Sequence, residues 1–586
     1  MKNVIFRGLF LFFALIPLWA MAQNFIPSMQ TAPKGYWCCD DLMVGERNNP
    51  NLTTLDEGLQ YHLMAQSLAG LVNRAVDEGR IDVGIYFHDL EERSYQTQTR
   101  QMLAKQGVRL LGHIKTLDLL QRDTSLRKLL TGYVLTDVRN NPESGVVATV
   151  ASHVFSALIV DERDRSFYEN LGLNMVYDAR EKTTEDAWRE FRDKCQRNAL
   201  VLMPVSMGEL REFAIKNRTF VLNLNRIYQH PEKGQNLHLF KEVLAWLKPN
   251  APILGWEHGV DECDFVQPVS RSGHVMIPCD WSYNHSLASL GGKIAKRKVT
   301  FERFDPRCLN EEQDKKYVSF FLTDGDNVQW MMGGFVDYMA QKASQEVKMT
   351  YGMALTPLAD MSVPWTDYLV GALPNGCSAV EMLGGGYYYV DTYSQDGKRK
   401  QNLKVISRRV AREMKARQAT LLSVMAIDVL SESAKEAYQA YIDANAHLEA
   451  ILAFQYSPYA GGEGQILWLK NSKGYDIPII TAHYTLWNFG DENHLLEGTP
   501  RYIAECLTDD FSVVGVHAWS NFSRHSLTDD MLIENKGGTL HGAQAAKLCA
   551  DHLSDEFCVV NFQELVWRLR MKHSPKQTQK YINKYY

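Results

Sequence analysis

The sequence predicts an α/β protein in which small N-terminal α/β domains precede a C-terminal TIM-like (β/α)8 barrel, regular or irregular. Three observations carry this prediction. Short apolar runs alternate with amphipathic helical stretches along most of the chain. From Lys316 onward eight such runs recur within ~260 residues, the size and rhythm of an eightfold barrel. The first of them, 317–322, breaks at once into Thr323-Asp324-Gly325-Asp326-Asn327. Strand, acidic loop, helix is how α/β enzymes present reactive groups.

Taken in order, the chain begins with a basic segment ending at Arg7, an apolar stretch from Gly8 to Trp19, and the small-x-small triplet Ala20-Met21-Ala22. These are the parts of a signal peptide, expected over 1–22, with Gln23 as the mature start. No Cys follows the cut to take a lipid, and no later stretch has ~18 uninterrupted apolar residues. The expectation is an exported, periplasmic or secreted protein without a transmembrane segment.

A length of 586 residues implies roughly three or four domains. Hydrophobic content of 45% and charged content of 23% are globular values. A net charge of −6 without a basic stripe argues against nucleic acid as a partner. Lys293 to Lys298 holds four basic residues among six and reads as a solvated linker. Ten cysteines show no C-x-x-C spacing, so neither a zinc site nor a thioredoxin motif is indicated. Export permits disulfides, although neighbours such as Cys38 and Cys39 would be strained if joined to each other.

Three N-terminal α/β domains are expected, over 23–115, 116–195 and 196–305. The first has a helix at 59–75 and a strand at 81–87. The second has a strand at 132–136, a helix from about 146 to 158, and a strand near 171–177, with Gly172 ending the preceding helix. The third has strands at 199–203, 220–223 and 252–256 and a helix at 237–247. No G-x-G-x-x-G or Walker loop supports nucleotide binding. Asp261-Glu262-Cys263-Asp264 reads as an acidic surface turn.

The barrel-like domain, 306–575, has strands expected at 317–322, 347–355, 378–383, 420–427, 448–455, 477–484, 512–517 and 557–561. Helices fall between them: 403–417, a helix opened by the capping box Ser433 to Glu436, one with Thr499 as N-cap and Pro500 in its first turn, and 544–553. The helix between the fifth and sixth strands is poorly signalled. Residues 576–586 are expected as a tail. In a barrel, function follows the strand ends. Those positions hold Asp324, Asp326 and Asn327, then Glu381, Asp428, Gln455 and Tyr456, His483, and finally His517, Trp519 and Asn521. Trp330 follows the first loop. Gly384, Gly385 and Gly386 permit a sharp turn or a close ligand approach. Tyr387, Tyr388 and Tyr389 beside them offer flat amphipathic faces suited to sugar rings, with Tyr387 and Tyr389 favoured as pocket residues.

Gly384-x-Gly386-Tyr387-x-Tyr389 closely resembles the signature of the GxGYxYP family of exported bacterial proteins, named as putative glycoside hydrolases. Thr323 to Trp330 looks like that family's other marked segment. Leu68 to Arg74, Leu171 to Leu173 with Asp178, and Gly255-Trp256 through Asp280 and Asn284 to Ser286 resemble its three N-terminal domains. The signature ends in Pro, where this chain has Val390, which frees φ and restores an N–H. The resemblance implies a glycosidase-like barrel acting on a carbohydrate.

Glycoside hydrolysis needs an acid for the leaving oxygen and a second carboxylate as base or nucleophile. The expected catalytic residues are Asp324, Asp326 and Glu381, with Asp428 in reserve. Asp326 or Glu381 would be the acid, its pKa raised by desolvation. Asn327, Trp330, Gly386, Tyr387, Tyr389, His483, His517 and Trp519 are the expected substrate contacts, the aromatic ones as platforms. This reading needs no cofactor. One alternative is a metal-dependent deacetylase or esterase with a divalent ion on Asp324, Asp326 and His483 or His517. Another is a non-catalytic glycan-binding protein. The sequence sets no oligomeric state.

Overall fold

A computed structural model of the protein describes residues 25–39, 57–88, 95–204, 208–226, 234–290, 298–309, 315–456, 459–487, 498–522 and 540–586. The expected signal peptide lies outside the described residues, as does 293–297 of the basic stretch. Among the described residues no helix is long and apolar enough to cross a membrane.

The protein is a mixed α/β structure with three small parallel sheets followed by one large curled sheet. The first sheet contains β1 (Gly35–Cys39), β2 (Val83–Phe87) and β3 (Arg109–Ile114), in the order β2-β1-β3. The second contains β4 (Tyr133–Thr136), β5 (Leu158–Asp161) and β6 (Met175–Asp178), in the order β5-β4-β6. The third contains β7 (Gln196–Leu202), β8 (Thr219–Leu222), β9 (Pro252–Gly255) and β10 (Val275–Ile277), in the order β10-β9-β7-β8. Most of their strands are buried on both faces, as parallel strands covered by helices must be, whereas the edge strands β3 and β6 are exposed or half-buried. The 21-residue helix Glu57–Asp77 packs on helix Arg211–Asn217 at Gly70, where a Cβ would lie 2.8 Å from the Glu212 carbonyl oxygen.

All eight runs expected in the C-terminal half form strands. They are β11 (Lys316–Leu322), β12 (Thr350–Met353), β13 (Ser378–Glu381), β14 (Leu421–Ala426), β15 (Ala450–Gln455), the pair β17 (Asp476–Thr481) and β18 (Tyr484–Leu486), β19 (Phe511–Val516) and β20 (Phe557–Val559). The regular eightfold repeat does not follow. Between the fifth and sixth runs β16 (Ile466–Lys470) pairs antiparallel with β17, a hairpin where a barrel would carry a helix. The sixth run breaks at Ala482-His483, so that β17 pairs with β15 and β18 with β19. The last strand, β20, has three residues and pairs only with the first half of β11. Among the described residues the sheet has ten strands and curls into a half-barrel. A continuous apolar run cannot show where a strand changes partners, because partner choice is tertiary.

Two local readings are corrected. The cap of helix Glu432–Ala444 is Ser431, whose Oγ accepts from the Ala434 N–H at 3.1 Å, and not Ser433. The expected tail is an 11-residue helix, Pro575–Tyr585, that buries Tyr581 and Ile582 beside Trp567. Its apolar positions were too few to stand out, yet they close the end of a cluster that Trp567 begins.

Candidate active site

β11 and β19 are parallel neighbours in register, with Leu322 opposite Val516. This register decides the first contact of the site. The chain after β11 turns at Asp324, in the left-handed region at φ +62°. The Asp324 carboxylate then meets the chain after β19, where Oδ2 accepts from the Ala518 N–H at 3.2 Å and from the Thr323 hydroxyl. His517 Nε2 lies 3.8 Å from Asp324 Oδ1, while His517 Nδ1 is 3.0 Å from Ser520 Oγ. Burial holds the His517 imidazole below its ordinary pKa, opposed by the Asp324 charge. Gly325 is required by close approach: a Cβ there would sit 1.8 Å from the Gly352 carbonyl oxygen on β12. Asn327 caps helix Val328–Met331 by accepting from the Trp330 N–H at 3.2 Å.

The acidic loop faces the third N-terminal sheet, not empty solvent. Gln329 bonds to both partners there: its N–H donates to the Pro278 carbonyl at 3.1 Å, and its Oε1 accepts from the Trp281 N–H at 2.6 Å. A pocket of about 200 Å³ lies at this junction. From the β11 side it is lined by Asp324, Asp326, Asn327 and Gln329. Chain following β9 and β10 supplies Trp256, His258 and Glu262, then Pro278, Asp280 and Trp281. Tyr387, Tyr459 and Trp519 complete it.

The tyrosine-rich loop is the joint between the two halves. Leu383, Gly384, Gly385 and Gly386 all have positive φ, which glycine adopts without strain. At Gly386 (φ +153°) a Cβ would stand 3.1 Å from the Met276 carbonyl oxygen. Directly afterwards Tyr387 exchanges both backbone hydrogen bonds with Met276 of β10, at 2.9 and 3.0 Å. The Tyr389 N–H donates to Ser270 Oγ at 3.0 Å, and the Val390 N–H to the Met425 carbonyl at 2.8 Å. Val390 thus uses the hydrogen that proline lacks to tie the loop to β14.

Electrostatics set the carboxyls apart. Burial, then the charges of Asp324 and Glu262, holds Asp326 well above the usual carboxylate range. Glu262 opens helix Glu262–Arg271 and takes the Tyr387 hydroxyl hydrogen on Oε1. Burial pushes Glu262 up to about 7, the Asp324 and Asp261 charges adding to it and the Tyr387 hydrogen bond opposing it. Asp280 is 2% exposed; its Oδ2 accepts from His258 Nε2 at 3.0 Å, and its Oδ1 is buried without a partner. Tyr387 stacks on Trp256 (centroids 6.0 Å, planes 10° apart), and His258 lies parallel to Trp281 (6.5 Å, 3°).

Of the expected site residues, Asp324, Asp326, Asn327, Tyr387 and Trp519 line the pocket. His517 stands beside Asp324 beneath Trp487, ring centroids 3.9 Å apart. Trp330 packs on Trp519 (4.9 Å), Phe335 and Tyr338 and supports the wall from behind. Gly386 serves the joint. Tyr389 is fully buried against Tyr387 and Tyr456. Three others are not brought to the pocket. Glu381 is buried in the core, its Oε1 accepting from the Thr356 N–H at 3.3 Å, and burial pushes it up to about 8. Asp428 is exposed and closes a turn through the Leu430 N–H at 2.9 Å. His483 stacks on Tyr484 at 3.9 Å in the break between β17 and β18.

Sequence reasoning missed Trp256, His258, Glu262, Pro278, Asp280, Trp281 and Tyr459 as pocket residues. The stretch Asp261 to Asp264, read as a surface turn, contains one of the site's carboxyls. A signal was present: Trp256 and Pro278 directly follow the parallel strands β9 and β10, so the strand-end rule applied to the third N-terminal domain would have reached them.

Fold and pocket together define an α/β protein with clustered carboxyls, two of them raised, in an aromatic-walled pocket at the carboxyl ends of parallel strands in two sheets. Residues 197–290 match the GxGYxYP third domain, and residues 314–530 match the GxGYxYP putative glycoside hydrolase C-terminal domain. The two spans cover more than half of the 586 residues, and the chain belongs to the GxGYxYP family. The crystal structure of a putative hydrolase from Bacteroides thetaiotaomicron VPI-5482 superposes with a TM-score of 0.71 at 17% identity. The match covers 94% of this chain and 98% of that one, a likeness of fold. No curated protein matches the chain.

Proposed function

We propose that this protein hydrolyses a glycosidic bond in a glycan outside the cytoplasm, by carboxyl acid–base chemistry. The observation that carries the reading is the convergence of Asp324, Asp326 and Glu262 in one aromatic-walled pocket. Asp326, whose pKa burial and the neighbouring carboxylates raise, gives its proton to the glycosidic oxygen as the bond to the anomeric carbon breaks. Asp324, which accepts hydrogen bonds from Ala518 and Thr323, is the second carboxylate. It takes a proton from the attacking water or adds to the anomeric carbon itself. Trp256, Trp281, Tyr387 and Trp519 are the ring platforms. The family description supports the reaction class, and the leader expected over residues 1–22 supports export.

The test is mass spectrometry of a mixed glycan panel incubated with the wild type and with Asp326→Asn, with and without chelator. Chain cleavage lost in the variant and indifferent to chelator is the expected result. Loss of acetyl mass blocked by chelator, or retention of a glycan without any product, would overturn it.

A further inference from the structure

The charge inventory of the pocket has a consequence for what can enter it. Glu262, Asp280, Asp324 and Asp326 all face a space of about 200 Å³, and none of the thirteen lining residues is Lys or Arg. Among the described residues the cation partners of these carboxyls are imidazoles, His258 on Asp280 and His517 on Asp324. The hydrogen bonds that steady the carboxyls come from neutral groups: the Tyr387 hydroxyl, the Thr323 hydroxyl and the Ala518 N–H. Asp280 keeps one buried oxygen without a donor. Among the described residues, no Lys or Arg lining the pocket offsets these carboxyls.

We infer that the pocket admits a single sugar ring free of acidic substituents and binds most tightly a ring bearing a free amine. The inference rests on reading this pocket as the sugar site. The volume suits one ring, stacked on the aromatic wall. A uronate or sulfate would be brought against like charge in a partly desolvated space, where repulsion is strongest. An ammonium meets the opposite situation, and its charge favours ionisation of Glu262 and Asp326, whose pKa values burial raises.

The experiment is calorimetric titration of the wild type with free monosaccharides, which offer no bond to cleave. Matched sets are used: the 2-amino-2-deoxy sugar, the parent neutral sugar and the uronic acid, each in gluco, galacto and manno configuration. In the best-binding configuration the amine should bind at least ~10-fold more tightly than the uronate, with the neutral sugar between them. The gap should shrink with salt. Amine binding should release protons, seen as a dependence of the heat on buffer ionisation. Glu262→Gln and Asp280→Asn should each narrow the amine's advantage over the neutral sugar. A uronate that binds as tightly as the amine, or no binding by any member, overturns the inference. The reversed order with glycan cleavage intact would overturn the inference and leave the hydrolase reading standing. The expected order without any glycan cleavage would do the opposite.

Discussion

Tyr387 donates its hydroxyl hydrogen to Glu262, joining the tyrosine-rich loop after β13 to the first turn of helix Glu262–Arg271. The two residues come from different sheets. Their bond, with the Tyr387–Met276 backbone pair beside it, makes the pocket a property of the junction.

Removing that hydroxyl should be visible in a pH profile. The hydrogen bond favours the ionised form of Glu262, so Tyr387→Phe should raise the Glu262 pKa further above its value of about 7. In pH–rate measurements on any glycan the wild type cleaves, the limb near pH 7 should move upward in the variant. A profile that falls in height without shifting would mean that Glu262 does not set the limb.

Gly325→Ala should disturb the acidic loop without touching a carboxyl. The added methyl collides with the Gly352 backbone, so the loop must lift away from β12. A destabilisation of about 1–3 kcal/mol and a fall in kcat/KM are expected from urea unfolding and steady-state kinetics. Wild-type stability in this variant would show that the approach to Gly352 is not tight.

Val390→Pro places the family's signature residue in this chain and costs a hydrogen bond. Met425 would lose its 2.8 Å donor inside the core. Unfolding free energy should drop by about 1–3 kcal/mol, read from denaturant midpoints. Unchanged or higher stability would show that the loop accepts proline by shifting.

Glu381→Gln tests the correction at that position. Burial raises the folded-state pKa to about 8, above an unfolded value of roughly 4.3, so the protonated form favours folding. The wild type should lose stability relative to the variant as pH rises from roughly 4.3 towards about 8, because the glutamine carries no charge in either state. Glycan cleavage should persist in the variant, unlike Asp326→Asn. Loss of cleavage with unchanged stability would return Glu381 to the site.

The strands were legible because burial on both faces writes a continuous apolar run into the chain, and all eight expected runs after Lys316 form strands. The loop Thr323 to Asn327 was legible for the complementary reason: two carboxyls in a turn directly after such a run have few purely structural uses. Glu381 and Asp428 misled because a strand end on paper gives no direction for the side chain. One turned inward to Thr356, and the other closed an exposed turn. Glu262 was passed over because an acidic cluster usually lies in water. Only the packing of Tyr387 over it shows otherwise.

What the sequence by itself determined was the list of elements, the strand-end position of Asp324 and Asp326, and the glycine and tyrosine composition of the joint. Each follows from local rules: side-chain period, turn chemistry and the positive φ that Gly384, Gly385 and Gly386 adopt. Tertiary structure alone decided that β17 and β18 part company, and that Asp324 meets His517 through the pairing of β11 with β19. It alone also brought Glu262, His258 and Asp280 across from the third N-terminal sheet. Those contacts join residues dozens to hundreds of positions apart, and no local period encodes such a pairing. It is settled by which buried surfaces fit together once the elements exist.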